Sequence, residues 1–227
     1  MRFDCAIYCC VSSRDAFAIL HEVAQGKLIF DGCQFSCYSD ATDWIGDTMH
    51  DLLGHISHES EPNGQIDFPS GDYIVVTPGH KDSQTMCLVN LEISSLDNNQ
   101  FLKLIKRYAD RLDATYSFAD VANVSPVMEW ELDSRNSLPS PYWCLHDLYW
   151  YNRFSFDLLQ ILKETIKFPN DVLGLGVVDL GNAIEITVVD GPSKRPYQKQ
   201  IEDWIASCNV FKRQNRKAKF PRRLQLR

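Results

Sequence analysis

The chain has 227 residues, of which 44% are hydrophobic and 23% are charged. This composition is typical of a globular protein with a sizeable core, and the length suits one large domain or two small ones. Because no apolar run approaches the roughly 18 residues of a membrane span, we expect no contact with a membrane.

The net charge of −7 averages two opposite parts of the chain. Residues 1–211 contain all 30 acids but only 15 of the 23 Lys and Arg residues, which gives this part a net charge of −15. The other eight cations lie in residues 212–227. We therefore predict a compact, acidic body over residues 1–211. The rest should be a basic, poorly ordered tail, since it has too few apolar residues to fold alone.

The N-terminal residues predict a strand followed by a helix. Apolar side chains alternate over residues 3–11, and this period of two is typical of a strand. Residues 13–26 then carry apolar side chains at helical spacing, with Ser13 as a candidate N-cap and Gly26 in a position that suits a helix end. The same residues lack the basic start and continuous apolar stretch of a signal peptide. We therefore expect a cytoplasmic chain whose eight cysteines stay reduced.

The rest of the first half predicts a hairpin, a helix, two strands and a further helix. Asp31 and Gly32 lie between two short apolar runs, which predicts a hairpin because both turn positions favour a positive φ. Trp44 and Ile45 share helical spacing with later apolar residues, which predicts one helix over residues 39–57. The remaining elements of this half are strands at 72–77 and 85–93 and a helix over 97–112.

The second half shows a similar order of elements. They are strands at 114–118 and 127–132, a helix near 154–166, a hairpin at 172–189 and a helix near 196–208. Both halves end in two strands followed by a helix, which would fit two similar lobes, 1–112 and 113–211, within one compact domain. We predict an α+β fold with mixed, mostly antiparallel sheets and helices packed on them.

The groupings of His, Cys and Gly residues lack the spacing of a known site. The polar face of the helix predicted at 39–57 and the residue just after it carry Asp47, Asp51, His55 and His58. Polar residues belong on the outer face of any amphipathic helix, and this spacing matches no zinc signature. The glycines near residues 174–181 lie within and between two strand-like runs, whereas a phosphate loop opens a helix. We predict no metal, no cofactor and no catalytic residue carried by a motif.

The segment from residue 129 to 151 concentrates aromatic side chains beside acids. Aromatic residues with polar groups dominate protein interfaces because they bury much area at little entropy cost, and flanking acids attract a basic partner. Core packing is the alternative, and we assign Trp130 to the core while core and interface stay open for the later aromatic residues. The predicted partner-binding residues are Glu129, Glu131, Asp133, Trp143, Tyr149 and Trp150.

A strand pair followed by a helix is expected within residues 172–207. Its pattern consists of Gly181, Ile184-Glu185-Ile186, Pro196-Tyr197 and Ile201. Together with an acidic α+β chain of this size and the lack of catalytic motifs, this layout resembles the immunity proteins of bacterial polymorphic toxin systems. The resemblance implies that the chain neutralises a cognate toxin by direct stoichiometric binding, and it transfers no catalytic residue. The acidic body predicts that this toxin is basic.

Two other functions stay open from the sequence. One is a small-molecule or nucleotide-processing enzyme with a dispersed active site, because catalytic groups meet in space and not in sequence. The other is nucleic-acid contact through the basic tail at 212–227, which should be weak and salt-sensitive because the body would be repelled by the same phosphates. The tail could equally fold back on the body. The sequence does not set the oligomeric state.

Overall fold

The computed structural model describes residues 1–24, 28, 30–38, 43–56, 63–78, 87–121, 149–157, 174–189 and 191–192. Within these ranges the chain forms ten strands and three helices. The strands are β1 (Phe3–Cys9), β2 (Gln34–Tyr38), β3 (Asp43–Gly46), β4 (Asn63–Asp67), β5 (Tyr73–Pro78), β6 (Cys87–Ile93), β7 (Ala114–Val121), β8 (Tyr151–Ser155), β9 (Leu175–Asp179) and β10 (Ala183–Val188). The helices are α1 (Ser13–Ala24), α2 (Met49–Ile56) and α3 (Asn98–Arg111).

The described strands belong to one antiparallel sheet with the order β3-β2-β4-β5-β6-β1-β7-β8-β10-β9. This arrangement confirms the predicted α+β class. β1 lies in the middle, with β6 on one side and β7 on the other, and each pairing extends along the whole of β1. Strands from both predicted lobes are therefore parts of the same sheet.

The three helices pack on one face of the sheet. Phe3 and Ile7, which point to the same side of β1, belong to one buried cluster with the apolar sides of α1, α2 and α3. Phe101 of α3 stacks on Phe3 with the ring centroids 4.5 Å apart. On α1, Phe17 lies so close to Gly64 of β4 that a Cβ at this glycine would be 2.4 Å from the ring. Gly64 thus allows α1 to approach the sheet closely.

The first and third helices each begin at a capping side chain. The Asp97 carboxylate accepts a hydrogen bond from Gln100 N at 2.8 Å, and the Gln100 side-chain oxygen accepts one from Asp97 N at 3.1 Å. This capping box confirms the predicted start of α3. The cap of α1 is Ser12, whose hydroxyl accepts a hydrogen bond from Asp15 N at 3.1 Å. The prediction of Ser13 as the cap was wrong by one residue, because Ser13 already lies in the first helical turn and is buried.

The helix predicted over residues 39–57 was wrong in its first part. Residues 43–46 form the strand β3, and α2 begins at Met49. Trp44 and Ile45 fit a helical spacing, but they pair with Cys37 and Ser36 of β2, which places them on opposite faces of a strand.

The turn predicted at Asp31-Gly32 forms, but the hairpin does not. Gly32 has a φ of 76°, and Cys33 N donates to Phe30 O at 3.2 Å. Both edges of the following strand β2 are occupied by β3 and β4. The apolar run before the turn therefore has no edge of β2 to pair with.

In the second half of the chain, the structure confirms a predicted hairpin and shows a strand where a helix was predicted. The hairpin predicted at 172–189 is confirmed as β9 and β10, joined at Gly181 with a φ of 82°. The helix predicted near 154–166 overlaps β8, which forms because β7 and β10 pair with its two edges. The strand predicted at 127–132, the helix at 196–208 and the tail at 212–227 lie outside the described residues.

A buried ion pair lies between β8 and β10. The side chains of Arg153 and Glu185 are 2% and 5% exposed, and Arg153 Nη1 lies 3.5 Å from Glu185 Oε1. Lys106 of α3 places its Nζ 2.8 Å from Glu185 Oε2, and Tyr151 donates its hydroxyl proton to Glu185 Oε1 at 2.9 Å. Burial raises the pKa of Tyr151 well above its ordinary value, and the charge of Glu185 adds to this effect, so the phenol stays a donor.

Asp72 links the turn between β4 and β5 by hydrogen bonds to the residues that precede α3. Its carboxylate accepts hydrogen bonds from Ser94 N at 2.7 Å and from Ser95 N at 3.2 Å, and the Ser94 hydroxyl also donates to it. Burial alone would raise the pKa of Asp72, but the hydrogen bonds outweigh burial and lower this pKa below its ordinary value of 3.8. The fold therefore favours the ionised carboxylate.

We predict that Asp72→Asn destabilises the protein at neutral pH by about 1–3 kcal/mol, because the amide weakens these charge-assisted hydrogen bonds. Since the folded pKa is lowered, the contribution of the charge is complete above the unfolded pKa and is lost as the pH falls through the folded pKa. Urea unfolding at neutral pH and below about pH 3 should show the difference between wild type and variant shrinking at acid pH. The exposed Asp113→Asn serves as the control. A difference of equal size at both pH values would contradict this account.

Candidate protein-binding surface

Negative charge is concentrated at one end of the sheet. Between Lys27 and Lys81 the sequence contains nine acids and no Lys or Arg. The described part of this stretch forms β2, β3, α2, β4 and β5. We call the described residues between 28 and 78 the acidic end, and they include six of the nine acids. The net charge of residues 1–211 conceals this local excess of acids, whereas the distribution of Lys and Arg along the chain reveals it.

Apolar side chains accompany the acids on the strand at the acidic edge. β3 is the last strand of the described sheet on this side. Its Ile45 is 59% exposed, and Tyr38 of β2 is 42% exposed. Asp43 lies directly opposite Tyr38 and is exposed, as is Asp47 just after the strand. An exposed isoleucine and tyrosine flanked by acids form a surface that suits an apolar contact with a basic rim.

The sheet face that points away from the helices is partly open at the acidic end. One row across β3, β2, β4 and β5 consists of Ile45, Ser36, Gln65 and Val75. Gln65 and Val75 are half-buried, and Gln65 donates to Asp67 Oδ1 at 2.7 Å. The row continues on β6 with Asn90, which is buried. The accessible residues of this row at the acidic end are therefore Ile45, Gln65 and Val75.

We give the name acidic patch to eight accessible residues of this face and edge. They share partial or full exposure, and they lie on β2 to β5 or directly after β3. The members of the acidic patch are Tyr38, Asp43, Ile45, Asp47, Gln65, Asp67, Tyr73 and Val75. Tyr73 is held in place by its hydroxyl, which donates to Glu92 Oε2 at 3.2 Å.

At the opposite edge of the sheet, acidic side chains make contacts that stabilise the fold. On β9 and just after it, Val178 and Leu180 are 46% and 43% exposed. The Asp179 carboxylate there accepts a hydrogen bond from Gly181 N at 2.8 Å, so it stabilises the turn before β10. Glu185 of β10 is buried in the ion pair with Arg153. Both of these acids support the fold, whereas Asp43 and Asp47 face solvent.

Trp44 fastens β3 to α2 on the helix side of the sheet. Its ring stacks on His55 with the centroids 5.2 Å apart and 14° between the planes. The ring also covers Gly46, where an added Cβ would be 2.3 Å from the Cζ2 atom of the indole. Gly46 thus lets the indole lie against the strand, and this packing supports the exposed side chains on the other face of β3.

Two of the six predicted partner-binding residues are described, and both are buried. Tyr149 is 2% exposed and stacks on Phe118 with the centroids 4.5 Å apart. Trp150 is 4% exposed and lies beside Phe3 and Phe101, with centroid distances of 5.7 Å and 6.4 Å. Both side chains contribute to the core, and their role in binding stays a prediction. Glu129, Glu131, Asp133 and Trp143 lie outside the described residues.

Asp51 and His55 in the α2 region have structural contacts. Asp51 Oδ2 accepts a hydrogen bond from the Thr48 hydroxyl, and Asp51 N donates to Thr48 Oγ1 at 3.1 Å, so this pair caps α2. His55 stacks on Trp44, and His58 lies outside the described residues.

Across the ranges that the structure describes, no group of three or more His, Cys, Asp and Glu side chains is placed to hold a metal ion. In those same ranges, no helix is both long and apolar enough to cross a membrane.

A scan against protein-family models and a search of the curated proteins found no match to this chain. The support for a function therefore comes from the charge, exposure and contacts of the residues themselves.

We predict that Gly46→Ala destabilises the protein by about 1–3 kcal/mol, because the new methyl group forces the Trp44 ring off the strand. The matched control is Gly54→Ala in α2, where an added Cβ meets nothing within 4 Å. This control should be neutral or stabilising by up to about 1 kcal/mol, since alanine favours a helix. Urea unfolding measures both effects. Equal effects of the two substitutions would show that Trp44 does not cover Gly46.

Proposed function

We propose that the chain is an immunity-type inhibitor that neutralises a cognate basic toxin by stoichiometric binding, and that it binds through the acidic patch. The observation that carries this proposal is the segregation of charge, with nine acids and no Lys or Arg in the sequence between Lys27 and Lys81. A surface of one sign attracts partners of the opposite sign and repels those of its own. The layout of residues 172–207, which resembles immunity proteins, supports a toxin as the partner.

The charged and apolar members of the acidic patch have different roles in this proposal. At physiological salt the Debye length is about 8 Å, so Asp43 and Asp47 act in the last stage of approach and mainly raise the association rate. Ile45 and Tyr38 stabilise the complex once the two proteins are in contact. Full burial of an exposed isoleucine contributes about 1.5–3 kcal/mol, and such contacts mainly set the dissociation rate.

The expected size of the complex shows how far the surface extends. A stable protein complex of standard size buries about 800 Å² on each partner, contributed by roughly 20–30 residues. The acidic patch is smaller than this. The interface should therefore include further residues of the acidic end around β3 and α2.

Neutralisation gives the direct test. The candidate toxin is a protein that is encoded beside this gene and that arrests growth when a bacterial host expresses it alone. Co-expression of this chain should restore growth, and the two purified chains should elute together at a fixed ratio from a size-exclusion column. Persistent growth arrest with both chains present would contradict the proposal. So would rescue without a complex, because an enzyme that removes the toxic product would give that result.

We predict that Asp43→Asn slows association with this toxin by about twofold to threefold at low salt and by less at high salt, since ions screen the charge. Asp113→Asn removes the same charge outside the acidic end and should leave the association rate unchanged. Ile45→Ala should mainly speed dissociation, whereas Val178→Ala on the opposite edge should not. Surface plasmon resonance at two salt concentrations measures both rates. If the control variants change the rates as much as the patch variants do, the acidic patch is not the binding surface.

A further inference from the structure

Cys9 and Cys87 face each other at one end of the two central strands. Cys9 is the last residue of β1, Cys87 is the first residue of β6, and the two are directly paired in the register. Their Sγ atoms are 3.1 Å apart, and both residues are buried with no exposed area. Both are free thiols in the structure. They are thus two thiols in direct contact across a strand pair.

The pairing of the two residues across antiparallel strands is compatible with a disulfide. Directly opposite residues of an antiparallel pair have Cα atoms about 4.5–5.5 Å apart, which lies within the range of about 4.4–6.8 Å found for disulfides. The sulfur atoms need to approach each other by roughly 1 Å, from 3.1 Å to the bond length of about 2.0 Å. We expect rotations of the two side chains to supply this movement while the strands stay paired.

We propose that Cys9 and Cys87 form a site of oxidative modification, at which a peroxide converts the two thiols into a disulfide that links β1 to β6. The thiolate of one cysteine attacks an oxygen atom of hydrogen peroxide and breaks the O–O bond. It becomes a sulfenic acid, and the released hydroxide takes up a proton to form water. The second thiol then attacks the sulfenic sulfur, the S–O bond breaks, and a second water leaves with the proton of that thiol. Two thiols are oxidised and one peroxide is reduced to two waters.

Burial makes this reaction slow. The contact with Cys9 and the removal from water raise the pKa of Cys87 above its ordinary value, so little reactive thiolate is present. Cys10 is exposed and lies next to Cys9, so peroxide meets the Cys10 thiol first. The pair lies at strand ends, where local opening needs less free energy than in the middle of a sheet. We therefore expect the disulfide to accumulate over a long incubation and not in a rapid burst.

The disulfide would link two central strands of the sheet covalently. It would close a covalent loop between residues 9 and 87, which contains α1 and the whole acidic end. Such a link stabilises a protein by restricting the unfolded chain. It would also fix the pairing of β1 with β6. This inference is independent of the proposed toxin binding.

The test uses the full chain with Cys10→Ser, so that the exposed thiol does not compete. After incubation with hydrogen peroxide, remaining thiols are alkylated under denaturing conditions and the protein is analysed by mass spectrometry. We expect the loss of two hydrogen atoms and a linked pair of tryptic peptides, residues 3–14 and 82–103. Dithiothreitol should separate the peptides. The oxidised chain should unfold at a higher urea concentration than the reduced chain.

Control variants identify the linked residues. Cys5 lies in the same tryptic peptide and is buried on the same side of β1 as Cys9. Cys5→Ala should keep the link, whereas Cys9→Ala and Cys87→Ala should each abolish it. Circular dichroism shows whether each variant is folded. The proposal would be overturned if folded protein keeps both thiols or converts them only to sulfinic acids. A link that persists in Cys9→Ala or Cys87→Ala would overturn it as well.

Discussion

The pairing of β1 with its two neighbours is the interaction on which the rest of the sheet depends. All seven residues of β1 are buried, and the strand pairs with β6 along one edge and with β7 along the other. The strands of the acidic end join the sheet through β6, and β8 to β10 join it through β7. Without β1 the sheet would divide into two parts with open edges in the interior, and each unsatisfied buried backbone group costs about 1–3 kcal/mol. The first nine residues therefore support the surfaces at both ends of the described sheet.

Charged residues serve different purposes at the two ends of this sheet. Around β8 and β10, the Glu185 carboxylate is buried and has Arg153, Lys106 and Tyr151 as partners. A buried charge needs such partners, since the loss of one leaves an uncompensated charge and costs about 3–5 kcal/mol. At the acidic end, Asp43 and Asp47 are exposed, and isolated surface charges contribute little to stability. The ion pair therefore belongs to the fold, while the surface acids are available for a partner.

The sequence correctly predicts those helices and strands whose conformation is determined by a local pattern of residues. The alternation in β1 and the helical spacing of apolar residues in α1 and α3 each arise from residues close together in the chain. The short strands β3 and β8 were missed because pairing with β2, β7 and β10 decides their conformation. The burial of Tyr149 and Trp150 depends on contacts with Phe118, Phe3 and Phe101, which lie far away in the sequence. The acidic patch is likewise assembled by strand register, so net charge predicts the sign of a partner but not the surface that it contacts.

The position of the acidic patch on an edge strand has an evolutionary consequence. Ile45, Tyr38 and Asp43 project from β3 and β2 into solvent, and substitutions at such positions usually change stability by less than about 0.5 kcal/mol. Trp44 and Gly46 hold the same strand from its other face. Selection can thus alter the outward side chains one at a time while the inward ones keep the strand in place. A binding surface built in this way can change along with a diversifying partner through many generations while the core stays the same.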